Sequence, residues 1–179
     1  LNNSLETFHF ADLSKVINLT WNSVSVSGIA SLLVIFFALF FLYVERISKS
    51  KINFYISNTI SLGYALPGAV IALSLMILFK GSLLVGTFGV LLFAYVIRFL
   101  AVGKSPIQSS LEKQPETIDD TGKNLGLGPF SLLQKVHLPI NKFALLSAFI
   151  VAFIDILKEL PITLIPVSYT HLTLPTSVP

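Results

Sequence analysis

Residues 118–140 read "IDDTGKNLGLGPFSLLQKVHLPI", a mostly polar stretch with Gly122, Gly126 and Gly128 set between apolar blocks. Just ahead of it, Thr117 opens a Thr-x-x-Asp pattern, a spacing suited to capping a helix that begins there. Asp119 and Asp120 fall in the first turn of that helix, where negative charge complements the helix dipole. Leu125 and Gly126 mark its end, because glycine enters the left-handed conformation without a Cβ penalty. Gly128 and Pro129 then open a second helix, since proline suits a first helical position. Phe130, Leu132, Leu133 and Val136 line it at roughly helical spacing, and Pro139 sets the angle at which the chain leaves it. The stretch is therefore expected to fold as helix, glycine, helix.

The blocks around it are made for lipid. Of 179 residues, 54% are hydrophobic and 12% charged, and the mean hydropathy is +0.81, whereas a soluble domain carries roughly 25% charged residues. Residues 24–44 hold no charge, and at about 1.5 Å per helical residue they reach roughly 30 Å, the thickness of a bilayer core. Residues 57–79 are also uncharged but contain Gly63, Pro67 and Gly68. A proline inside a span frees a carbonyl, which lipid tolerates only where neighbouring helices or a lined cavity satisfy it. Residues 82–101 form a third span, with Arg98 near its end placed to snorkel to the interface. Residues 140–157 form a fourth, interrupted by Asp155. The fold expected is all-α, a polytopic transmembrane helical bundle.

Charge in the loops sets the orientation. The connector 45–56 carries Arg46, Lys49 and Lys51 against one glutamate, so the positive-inside rule places it in the cytoplasm. Alternation then puts the N-terminal segment and the turn at Lys80 outside, the connector 102–139 inside, and Lys158 and Glu159 near the outer end of the fourth span.

Several function classes are excluded. The chain has no cysteine, hence no disulfide framework or thiolate site. His9, His137 and His171 are scattered, so no shared metal site is expected. No G-x-x-x-x-G-K-[ST] loop is present, so the chain carries no phosphate-loop nucleotide site. Lys and Arg form no run that would track a nucleic-acid backbone. A lone serine in a span, such as Ser57 or Ser61, more often bonds a helix than attacks a substrate. The first twenty residues lack the pattern of a signal peptide, and the chain is expected to begin inside a longer gene. Residues 167–178, "VSYTHLTLPTSV", resemble one reading frame of a transposase-end adaptor, so 167–179 are expected to be non-native and 1–166 to be the partial membrane domain.

The stretch 118–140 resembles the cytoplasmic loop of binding-protein-dependent ABC importer permeases. Its signature is Glu-Ala-Ala, three residues, Gly, nine residues, Ile, one residue, Leu-Pro. Here Asp120, Thr121 and Gly122 stand at the Glu-Ala-Ala positions, followed by Gly126, Val136, Leu138 and Pro139, with every spacing kept. "GYALPGAVIAL" at 63–73, "YVIRFLAV" at 95–102 and "KELPITLI" at 158–165 are similar to parts of the iron(III)-type subfamily, in which two such halves are often fused.

This resemblance implies a type I importer permease of the bacterial inner membrane, coupled through Asp120 and the residues around Gly126 to a cytoplasmic ATPase dimer. It further implies a periplasmic or lipid-anchored substrate-binding protein and a second permease half as partners. ATP and magnesium would sit on the ATPase, and no cofactor on this chain. Ferric iron is the cargo so implied; thiamine, sulfate or another small solute is the alternative, and a membrane-embedded enzyme or structural subunit the alternative of another class. Tyr64, Pro67, Gly68, Asp155, Lys158, Glu159 and Pro161 either line the path or gate, or serve packing alone. For Asp155, Lys158 and Glu159 the alternative is mutual pairing at the interface.

Overall fold

The computed structural model describes residues 11–48, 55, 59, 60, 62–80 and 87–159, and every regular element among them is helical. Helix α1 is Ala11–Ser48. A short 3-10 turn at Leu62–Ala65 leads to α2, Gly68–Leu78. Helix α3 is Phe88–Glu112 and α4 is Thr117–Asn124. Helix α5, Pro129–Ile140, contains a wide turn at Leu133–His137, and α6 is Lys142–Leu157. The expected non-native tail, Pro161, His9 and His171 lie outside the described residues.

Among the described residues, two helices are long and apolar enough to cross a bilayer, α1 from Ile17 and α3; α5 and α6 qualify only together, as a pair bent by 76°. Within the span expected at 57–79, the helix is broken at the proline. Pro67 cannot continue a helix from the preceding turn, and it instead sits extended (φ −57°, ψ 136°) ahead of α2. The 11 residues of α2 reach only about 16 Å.

The third span is displaced as well. Helix α3 begins at Phe88 and runs through Pro106 to Glu112, so the first part of the presumed 102–139 connector is helix. An apolar run measures the thickness of lipid, whereas the helix continues wherever one face finds a partner. Gly103, Ile107 and Leu111 recur at four-residue steps and, with Lys104 beside them, are all buried.

Small residues hold the bundle together. Ser27, Ala30, Ser31, Val34 and Ala38 form a buried stripe along α1, and Ala148, Ala152 and Ile156 another along α6. Lipid is as apolar as leucine, so helices associate there through close packing and not through exclusion of water. Gly103 lets α3 approach α1 closely: a Cβ at that position would stand 2.6 Å from Val34 Cγ1. Ser31 Oγ donates to the Ser27 carbonyl at 2.6 Å and so is satisfied within its own helix. The outer surface keeps its large apolar side chains, Leu32, Phe36, Phe40 and Phe143 among them, as lipid contact requires.

At the Pro67 break, Arg98 Nη1 donates to the Leu66 carbonyl, which meets the need of a backbone group freed at membrane depth. Arg98 Nε also lies 3.4 Å from Glu159 Oε2, with both side chains largely buried, and its guanidinium sits 5.6 Å from the Phe99 ring centroid. The expectation that Arg98 snorkels to the interface is therefore corrected: its charge is held inside by Glu159 and by a carbonyl. Beside it, Gly63 is pressed against the Ile97 carbonyl so closely that no side chain fits.

Candidate functional site

The helix, glycine, helix element forms as the local chemistry dictates. Helix α4 ends at Asn124, Leu125 follows as its cap, and Gly126 takes φ +76°. The N–H of Gly126 bonds to the Lys123 carbonyl and that of Leu127 to the Gly122 carbonyl, closing the helix end. Gly128 is extended, and Pro129 is the first residue of α5. One detail differs: Thr117 caps nothing. It is the first helical residue, after Glu116, and its carbonyl accepts from Thr121 Oγ1 at 2.7 Å.

The motif residues divide by face. Asp120 is exposed and makes a 3.8 Å pair with Lys123 along its own helix. Gly122 is buried, and a Cβ there would collide with Leu132 Cδ1 of α5. This glycine therefore sets how closely α4 and α5 pack, beyond its effect on helix propensity. Val136 and Leu138 are half-buried and Pro139 is exposed. Proline has no N–H for the Lys135 carbonyl, consistent with the wide turn at 133–137 just before it. The chain bends two residues later, at Asn141 (φ −92°, ψ 9°), and not at Pro139 itself.

The inward-facing acid is the neighbour, Asp119. Its Oδ2 accepts from Arg46 Nε at 2.7 Å, and its Oδ1 lies 2.7 Å from His137 Nε2. A carboxylate only accepts, so the His137 proton sits on Nε2. Arg46 Nη1 also donates to the Leu111 carbonyl at 2.7 Å and Nη2 to the Gln114 carbonyl at 3.3 Å. His137 Nδ1 is 3.3 Å from Gln114 Oε1, and Gln114 Nε2 donates to Asn141 Oδ1 at 2.8 Å. Asn141 Nδ2 in turn donates to the His137 carbonyl at 2.7 Å. Tyr43 Oη donates to the Pro129 carbonyl at 2.5 Å, its ring edge-on to His137.

Sequence reading passed over Asp119, Arg46 and this role of His137. One signal was present: on a helix beginning at Thr117, Asp119 shares a face with the buried Gly122, while Asp120 shares one with Lys123.

Burial pushes the His137 pKa below the ordinary 6.5, opposed by its hydrogen bond to Asp119. As the pH falls, the unfolded chain then takes up its proton before the folded one does. The stability from neutral His137 is thus complete above pH 6.5 and declines as the pH drops from there toward the lowered folded value. The full-length permease is expected to melt at lower temperature at about pH 5.5 than at about pH 7.5, with a smaller difference in His137→Gln. An unchanged difference in that variant would remove His137 as its source.

Of the second group of expected residues, Glu159 meets Arg98 directly, Pro67 follows the Leu66 carbonyl that Arg98 holds, and Gly68 is the first residue of α2. Tyr64 is half-exposed, its ring 6.4 Å from that of Phe99. Asp155 is half-buried and Lys158 exposed. Among the described residues no group of three acidic, histidine or cysteine side chains is placed to hold a metal ion.

An all-helical apolar bundle with an α4, glycine, α5 element across one end is consistent with the helical bundle of an ABC importer permease. No family model matches the chain. Over 169 residues it is 31% identical to the "Fe(3+)-transport system permease protein FbpB 2" of Haemophilus influenzae, an alignment covering 93% of this chain and 33% of that protein. The chain is thus similar to an iron(III)-transport permease and spans about a third of the length of this relative.

Proposed function

We propose that the chain forms part of the translocation path of an inner-membrane importer, with ferric iron as cargo. A substrate-binding protein on the outer side delivers the cargo, a second permease half completes the path, and an ATPase dimer in the cytoplasm holds ATP and magnesium. Similarity to an Fe(3+)-transport permease supports the cargo assignment; the charge of Arg46 at the end of α1 supports the orientation.

One observation carries the coupling role. The left-handed turn at Gly126 projects outward from the bundle, with Leu125 and Phe130 on either side of it, 76% and 69% exposed. Large apolar side chains at a polar, non-lipid end fit a protein partner, and Asp120 beside them is open to a cation of that partner. Helix α5, turned 76° from α6, would receive a push from the ATPase and deliver it to the bundle.

The test uses the full-length permease with its ATPase. A cysteine at Leu125 is expected to cross-link to cysteines in the ATPase groove, in a nucleotide-dependent yield. Failure to cross-link in every nucleotide state would remove the coupling assignment. Uptake of radiolabelled ferric iron, dependent on the binding protein, tests the cargo separately.

A further inference from the structure

Three helix ends meet the α4–α5 element through buried polar groups. Arg46, near the end of α1, holds Asp119 of α4 and the last carbonyls of α3 at once. Asp119 passes the connection to His137 of α5. Gln114 joins His137 to Asn141, the residue on which α6 begins and whose carbonyl accepts from Leu145 N–H at 2.9 Å. The His137 and Asn141 side chains are 1% exposed or less as residues, so neither has water as an alternative partner. The planar fork of Arg46 fixes direction as well as distance.

Backbone connectivity alone would deliver a displacement of α5 to α6 and leave α1 to follow through apolar contact and the single Tyr43–Pro129 hydrogen bond. We infer that Arg46, Asp119 and His137 are positioning residues that make the α4–α5 element and the adjoining ends of α1, α3 and α6 one rigid body. Movement imposed at the Gly126 turn then reaches all three helices together. This rests on the coupling role proposed above and names the residues that transmit it.

The experiment uses the full-length permease with its ATPase in nanodiscs, carrying spin labels at Phe40→Cys on α1 and Lys135→Cys on α5, both exposed positions. In the otherwise native protein the distance distribution is expected to be narrow and the same with and without ATP. Arg46→Lys keeps the charge but loses the fork, and Asp119→Asn keeps the shape but loses the charge. Either is expected to broaden the distribution at least about twofold and make its mean depend on nucleotide. A merely structural role would lower yield without creating nucleotide dependence. The Leu125 cross-link, run in parallel, reports docking by itself, and its absence would overturn the coupling role. With the cross-link intact, a native distance that shifts with ATP overturns the rigid link, as do variants as narrow and nucleotide-independent as the native protein.

Discussion

Asp119→Ala is expected to destabilise the full-length permease by about 3–5 kcal/mol, the usual cost of removing one member of a buried ion pair. The carboxylate accepts from Arg46 on one oxygen and faces His137 on the other, each at 2.7 Å. Its side chain and that of Arg46 are 12% and 14% exposed, so solvent replaces little of what is lost. The alanine would leave the guanidinium charge beside a buried imidazole with no anion between them. Arg46 would keep its carbonyl bonds at Leu111 and Gln114, which hold the charge in place without neutralising it. Asp119→Asn is expected to lose less, because one acceptor remains for one of the two donors. Melting of the detergent-purified protein checks both; equal midpoints for Asp119→Ala and the native chain would show that the network carries no stability. Asp120→Ala is the control, since that neighbour is exposed and its 3.8 Å ion pair with Lys123 is solvent-screened.

Asp119 also marks how far local reasoning reaches. The Gly126 turn and the Pro129 start are decided by backbone conformations that only certain residues tolerate, so a few consecutive letters suffice to place them. Lipid-facing segments are legible for a similar reason, since apolar length must match the membrane. The true end of α3 is not, because Gly103, Ile107 and Leu111 stay helical by packing on other elements after the apolar run has stopped. The polar network is least legible of all. Asp119 is 18 residues from His137 and 73 from Arg46, and nothing local joins three such letters. His137 reads as an incidental residue beside Leu138 and Pro139 until the bend at Asn141 turns α5 back across the helix ends.

The same limit hid Arg98, and its replacement should be comparably damaging. Arg98→Met is expected to cost about 3–5 kcal/mol, since it leaves Glu159 inside the bundle without the cation that faces it. The methionine keeps the apolar stem packed near Phe99 and removes two electrostatic roles together: the 3.4 Å pair with Glu159 and the donor to the Leu66 carbonyl at the Pro67 break. These roles separate in a double variant. Arg98→Met with Glu159→Gln removes both formal charges, so the part of the loss that comes from the uncompensated carboxylate should be recovered, while the part from the Leu66 carbonyl should persist. Melting midpoints of the native, single and double variants then apportion the effect. A double variant no more stable than Arg98→Met would assign the loss to the Leu66 bond and not to the ion pair. Full recovery would assign it to the pair, making the meeting of α3 with the end of α6 an electrostatic junction within the membrane, where an ionisable residue is costly enough to be kept mainly for function.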